Sequence, residues 1–82
     1  MPKFHFHIRD ASGVALDEDG MELPNLDAAR EEAQEAARQI LADALKSHKE
    51  VDGRKIEIAE EDGAVIEVIE VRDLLNHPRP EL

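Results

Sequence analysis

Two pairs of alternating apolar and polar runs flank one amphipathic helix, and each pair is broken by a turn in which acidic residues lead to glycine. Phe4, Phe6 and Ile8 alternate with His5, His7 and Arg9, the period-two pattern of a half-buried strand. Asp10-Ala11-Ser12-Gly13 is turn chemistry. Val14 and Leu16 alternate with Ala15 and Asp17 and give a shorter second strand; Asp17-Glu18-Asp19-Gly20 is an acidic turn, and Met21 and Leu23 lead on to Pro24. Beyond the helix, Ile56 and Ile58 alternate with Lys55 and Glu57. Glu61-Asp62-Gly63 then supplies an Asp-Gly hairpin signal, and residues 64–71 form the last strand. The order β-β-α-β-β in 82 residues predicts one α+β domain over residues 1–76, a four-stranded, mainly antiparallel sheet with the helix packed across one face. Residues 77–82 are expected to be a flexible tail, because Pro78 and Pro80 sustain neither a helix nor a ladder.

Asn25 is the expected N-cap of the helix, with Asp27, Glu31 and Glu32 near its positive end. Leu26, Ala29, Ala33, Ala36, Ala37, Ile40, Ala44 and Leu45 fall on one face at three- and four-residue spacing. The alanines let the helix lie close against a sheet. Lys46, His48 and Lys49 suit the negative end, and Asp52-Gly53 is the expected stop. The register of the last strand stays open: either Ile66 and Val68 face inward, or Val65, Ile69 and Val71 do. If the first and last strands were parallel neighbours at the centre, the strand order would be second, first, fourth, third. Residues 72–76 are expected to add a final helical turn.

A domain of this size buries roughly 60–65% of the surface its unfolded chain exposes, so its core is thin. The chain has no cysteine, tryptophan or tyrosine and only two phenylalanines, which leaves the packing to aliphatic residues and excludes a thiolate zinc site. Twenty acidic against ten basic residues give a formal charge of −10. That field repels phosphate backbones and anionic lipid, so neither direct nucleic-acid binding nor membrane binding is expected, whereas a basic protein surface is a suitable partner. No signal-peptide-like or membrane-length apolar run is present, which with the absence of cysteine predicts a cytoplasmic protein.

The run Phe4-His5-Phe6-His7-Ile8-Arg9-Asp10 and the segment from Asp17-Glu18-Asp19-Gly20 through Met21-Glu22-Leu23-Pro24-Asn25-Leu26 resemble a family of short, acidic bacterial proteins. Ala28-Ala29-Arg30, Glu32-Ala33, Asp52-Gly53-Arg54, Ile56-Glu57, Glu61-Asp62-Gly63 and Arg72-Asp73 continue the likeness, in order, nearly to Leu75. That family is a domain of unknown function, found mostly in soil and plant-associated bacteria. The resemblance implies no enzyme, cofactor or substrate. The family usually has an aromatic residue at the position of His5, so a two-histidine site would be particular to this chain, whereas His7, Arg9 and Asp10 look family-like. The acidic hairpin before a helix with Leu-x-x-Ala-x-x-x-Ala spacing is also similar, more loosely, to HicB-type antitoxin domains.

His5 and His7 stand two apart on a strand and so share a face. With a carboxylate from Asp17 or Glu67 they would make a site for zinc or nickel; the plainer reading is two surface histidines opposite Phe4, Phe6 and Ile8. The acidic turns fail as EF-hand loops. With Gly20 at the sixth position, Ala15 and Leu26 occupy the first and twelfth; with Gly63 there, Ile58 and Ile69 do. Ser12 and Ser47, the only hydroxyl side chains, lie outside any nucleophile elbow, and no phosphate-binding glycine loop occurs. No catalytic residue and no cofactor is expected.

The sequence therefore favours a non-enzymatic protein-interaction module that self-associates as a homodimer, with Val65, Ile69 and Val71 as interface residues if they face away from the helix. The alternatives are a regulatory acidic domain that masks a basic protein, as an antitoxin or nucleic-acid mimic does, and divalent-metal binding through His5 and His7.

Overall fold

The computed structural model describes residues 1–49, 51 and 53–75; Asp52 of the expected helix stop and the tail expected at 77–82 lie outside them. The elements are β1 (Lys3–Asp10), β2 (Gly13–Ala15), β3 (Met21–Glu22), α1 (Leu26–Ser47), β4 (Lys55–Glu60), β5 (Val65–Glu70) and a 3-10 helix (Val71–Leu75). The expected α+β fold forms: one mainly antiparallel sheet with a single helix packed across it.

The sheet has five strands rather than four, in the order β2-β1-β4-β5, with the short β3 also on β1. Each pairing is antiparallel. The first and last strands are therefore not parallel neighbours. One edge of β1 carries β2 and β3 and the other carries β4. The short 61–64 connection then leaves β5 only the free edge of β4.

Neither of the two candidate registers of the last strand is adopted whole. Ile58 pairs with Glu67 and Ala59 with Val65, so Ile66 is an extra residue in a β-bulge. The bulge resets the alternation. Ile66 and Ile69 pack against the core and Val71 is fully buried, whereas Val65 and Val68 are each 48% exposed.

The core lies between α1 and the sheet: Phe4 from β1, Ile56 and Ile58 from β4, Val71, and the helix line Ala29, Ala33, Ala37 and Ala44. Ile56, Ile58 and Val71 are the largest fully buried side chains, each stabilising by about 1.5–3 kcal/mol relative to exposure. The helix starts as expected, with Asn25 Oδ1 accepting the Ala28 N–H at 2.9 Å. It stops earlier than expected. His48 takes the left-handed conformation at φ 57°, and its N–H bonds to the Ala44 carbonyl, a role that glycine fills more often. Leu45 leaves the expected apolar stripe and is 67% exposed, whereas Leu41, one turn earlier, packs on the core. Arg30 pins the helix to the sheet, its Nε 3.3 Å from Glu67 Oε2 and its Nη1 2.8 Å from Asp27 Oδ1. Among the described residues no helix is long and apolar enough to cross a membrane.

Candidate functional site on the open sheet face

Strand alternation sends Phe4 and Phe6 toward the helix and His5, His7 and Arg9 to the opposite, uncovered face. Cross-strand pairing sets Ala59, Glu57 and Lys55 of β4 beside these three, and Val65, Val68 and Glu70 of β5 beyond them. Val14 of β2 pairs with Arg9. Arg9 and Glu57 form an ion pair at 2.7 Å; the hydrogen bond and charge of Glu57 raise the Arg9 pKa.

Between β2, which ends at Ala15, and β3, which begins at Met21, the ladder along β1 is interrupted. Asp17 fills the gap. Its Oδ2 accepts the Phe6 N–H at 3.1 Å, and its Oδ1 accepts the Gly20 N–H at 3.1 Å and closes the loop. Burial acts to raise the pKa of this carboxyl but is outweighed by the hydrogen bonds from Phe6 and Gly20, the charge of His5 and the Asp19 amide, so the net shift is downward. Gly20 has φ +74°, and a Cβ there would lie 2.8 Å from Lys3 Cγ and 2.9 Å from His5 Cε1. The position therefore requires glycine both for its backbone conformation and for the close approach of His5.

The backbone of Asp17 also fixes both histidines. Its carbonyl lies 2.7 Å from His5 Nδ1, and its N–H donates to His7 Nδ1 at 3.1 Å. A carbonyl can only accept and an N–H can only donate, so neutral His5 carries its proton on Nδ1 and neutral His7 carries its proton on Nε2. The outward nitrogens thus differ, Nε2 of His5 being an acceptor and Nε2–H of His7 a donor. The rings lie 6.2 Å apart, centre to centre, at 26°. Both line an open cleft of about 260 Å³ together with Leu16, Glu18, Glu60 and Glu61.

Of the sequence-predicted residues, His5 and His7 do come together on one face. The carboxylates offered as third metal ligands are engaged elsewhere: Asp17 with two amides, and Glu67 on the helix side with Arg30. Among the described residues no group of three His, Asp or Glu side chains is arranged to hold a metal ion. Val65 lies on the open face, but Ile69 packs against the core and Val71 is buried within it, so Val65 faces away from the helix and Ile69 and Val71 do not. Val14, Leu16 and Val68 are exposed as Val65 is. For Val14 and Leu16 the signal was their alternation in the second run; for Val68 there was none, because the bulge that turns it outward leaves no mark in the pattern.

Comparison with curated proteins and with solved structures gives no match. A family model does match residues 3–73, from the first residue of β1 into the final 3-10 helix. The stretch includes the Asp17 loop, both histidines and the bulged edge strand, and the chain accordingly belongs to the family described as a domain of unknown function, DUF6894.

Proposed function

We propose that this protein is a non-enzymatic, cytoplasmic interaction module, working without a cofactor, that self-associates as a homodimer through the open face of its sheet. One observation carries the reading. Val14, Leu16, Val65 and Val68 are 40%, 63%, 48% and 48% exposed and all belong to the side of the sheet that the helix leaves bare. Charge distribution supports the same face. Glu31, Glu32 and Asp43 are exposed along the helix, whereas on the open face Glu57 is paired with Arg9 and Glu70 stands across from Lys55. Two copies of a chain with net charge −10 meet less repulsion through the β4–β5 part of this face than through the helix. Light scattering is expected to give twice the chain mass, and Val65→Glu with Val68→Glu to give a monomer. A double variant that remains dimeric rules out the face.

A second reading, in which an acidic regulatory domain masks a basic protein in the manner of an antitoxin, draws on Glu18, Glu60 and Glu61 around the cleft. It predicts partner binding that weakens steeply with salt; salt-insensitive binding would count against it.

A further inference from the structure

The two outward imidazole nitrogens carry opposite hydrogen-bonding roles and are both available. Neither Nε2 has a partner among the described residues, and no buried side-chain nitrogen or oxygen there lacks one, so both atoms reach solvent. We propose that the cleft binds an extended lysine- or arginine-bearing segment through the backbone of one residue, its N–H donating to His5 Nε2 and its own C=O accepting from His7 Nε2–H. The proposal rests on the basic-partner reading and names the group that such a partner presents.

The chemistry narrows the choice of ligand. A carboxylate or phosphate only accepts, and an ammonium or guanidinium only donates; each satisfies one histidine and not the other. A hydroxyl does both, but from a single atom, which is poorly suited to rings 6.2 Å apart. The N–H and C=O of one extended residue carry donor and acceptor on separate atoms that face the same side of the chain, as those of Asp17 face the two Nδ1 atoms. The acidic residues Glu18 and Glu61 at the cleft then favour a segment with positive side chains flanking that residue. The backbone N–H and C=O of Asp17 preorganise the pair by holding each ring at Nδ1.

The test is a titration of the ¹⁵N-labelled protein with acetyl-Ala-Lys-Ala-Lys-Ala-amide, read at the imidazole nitrogens. It compares the unaltered protein with His5→Asn and His7→Asn. Asparagine offers an N–H where His5 has Nδ1–H and an oxygen where His7 has its accepting Nδ1, so each variant retains the contact with Asp17 and loses only the outward nitrogen. The expected result is a shift of both Nε2 resonances in the unaltered protein and a Kd weakened about five- to tenfold in each variant, the worth of one typical hydrogen bond. The same peptide with glutamate for lysine is expected to bind more weakly still. Unmoved imidazole resonances at millimolar peptide overturn the proposal. So does a Kd in both variants equal to that of the unaltered protein, an outcome that leaves the charge-based reading standing and removes the histidines from it. The resonance shifts come from the unaltered protein and decide the matter even if a variant fails to fold.

Discussion

Replacing Asp17 with alanine removes the group that bridges the break in the sheet's outer ladder. Two amides lose their acceptor at once: Phe6 N–H on β1 and Gly20 N–H at the end of the loop, each 3.1 Å from a carboxylate oxygen. A hydrogen bond to a charged group contributes about 1.5–3 kcal/mol. The loop is half-buried, so solvent competes and the lower end of that range applies to each, giving a loss of about 2–4 kcal/mol. For a domain of this size that corresponds to a fall in Tm of roughly 10–25 °C, a large share of the total stability of a small domain. Asp17→Asn keeps one accepting oxygen and the shape, and is expected to lose about half as much. Urea denaturation followed by circular dichroism measures both. The pH dependence provides a separate check. The Asp17 carboxyl is depressed in the folded state, so its contribution is fully present above the unfolded-state pKa and is lost as pH falls through the lower folded value. Between about pH 5 and the acid limit the unaltered protein therefore loses stability that Asp17→Asn does not. A loss below about 0.5 kcal/mol for Asp17→Ala, which is the scatter of ordinary surface substitutions, would refute the assignment of Asp17 as the bridge.

Gly20→Ala is expected to destabilise by about 1–3 kcal/mol, since its φ is positive and the added Cβ meets Lys3 and His5 under 3.0 Å; the imidazole resonances of His5 should move with it, and an unchanged spectrum and melting curve would count against the close packing. Ile58→Ala is expected to cost about 2–5 kcal/mol, because Ile58 is fully buried at the centre of the sheet; denaturant titration reads it directly. Arg9→Ala is expected to change stability by under about 1 kcal/mol, its ion pair with Glu57 being exposed on the arginine side; a larger loss would mean that the open face depends on that pair.

The pattern of strands, helix and turns was legible because each depends on neighbours in sequence. Period-two runs gave β1, β2 and β4, and the Asn25 cap and alanine stripe gave α1. What depended on distant partners was not. The place of β5 at the edge follows from which edges of β1 and β4 remain free, and no local pattern encodes that. The bulge at Ile66 mixes two registers that each looked complete. His48 stops the helix in a conformation that the sequence suggests for glycine. At the site, the shared face of His5 and His7 was readable from their spacing, but their tautomers were not. These are set by Asp17, ten and twelve residues away, in a loop that read only as an acidic turn.

Light scattering on the full chain at neutral pH, beside the Val65→Glu, Val68→Glu double variant, tests the central claim most directly. Val65 and Val68 lie on the open face at the outer strand and are half exposed, so the charges disturb association without entering the core. The account predicts a dimer that the double variant converts to a folded monomer. A monomeric unaltered protein, or a double variant that stays dimeric, contradicts it.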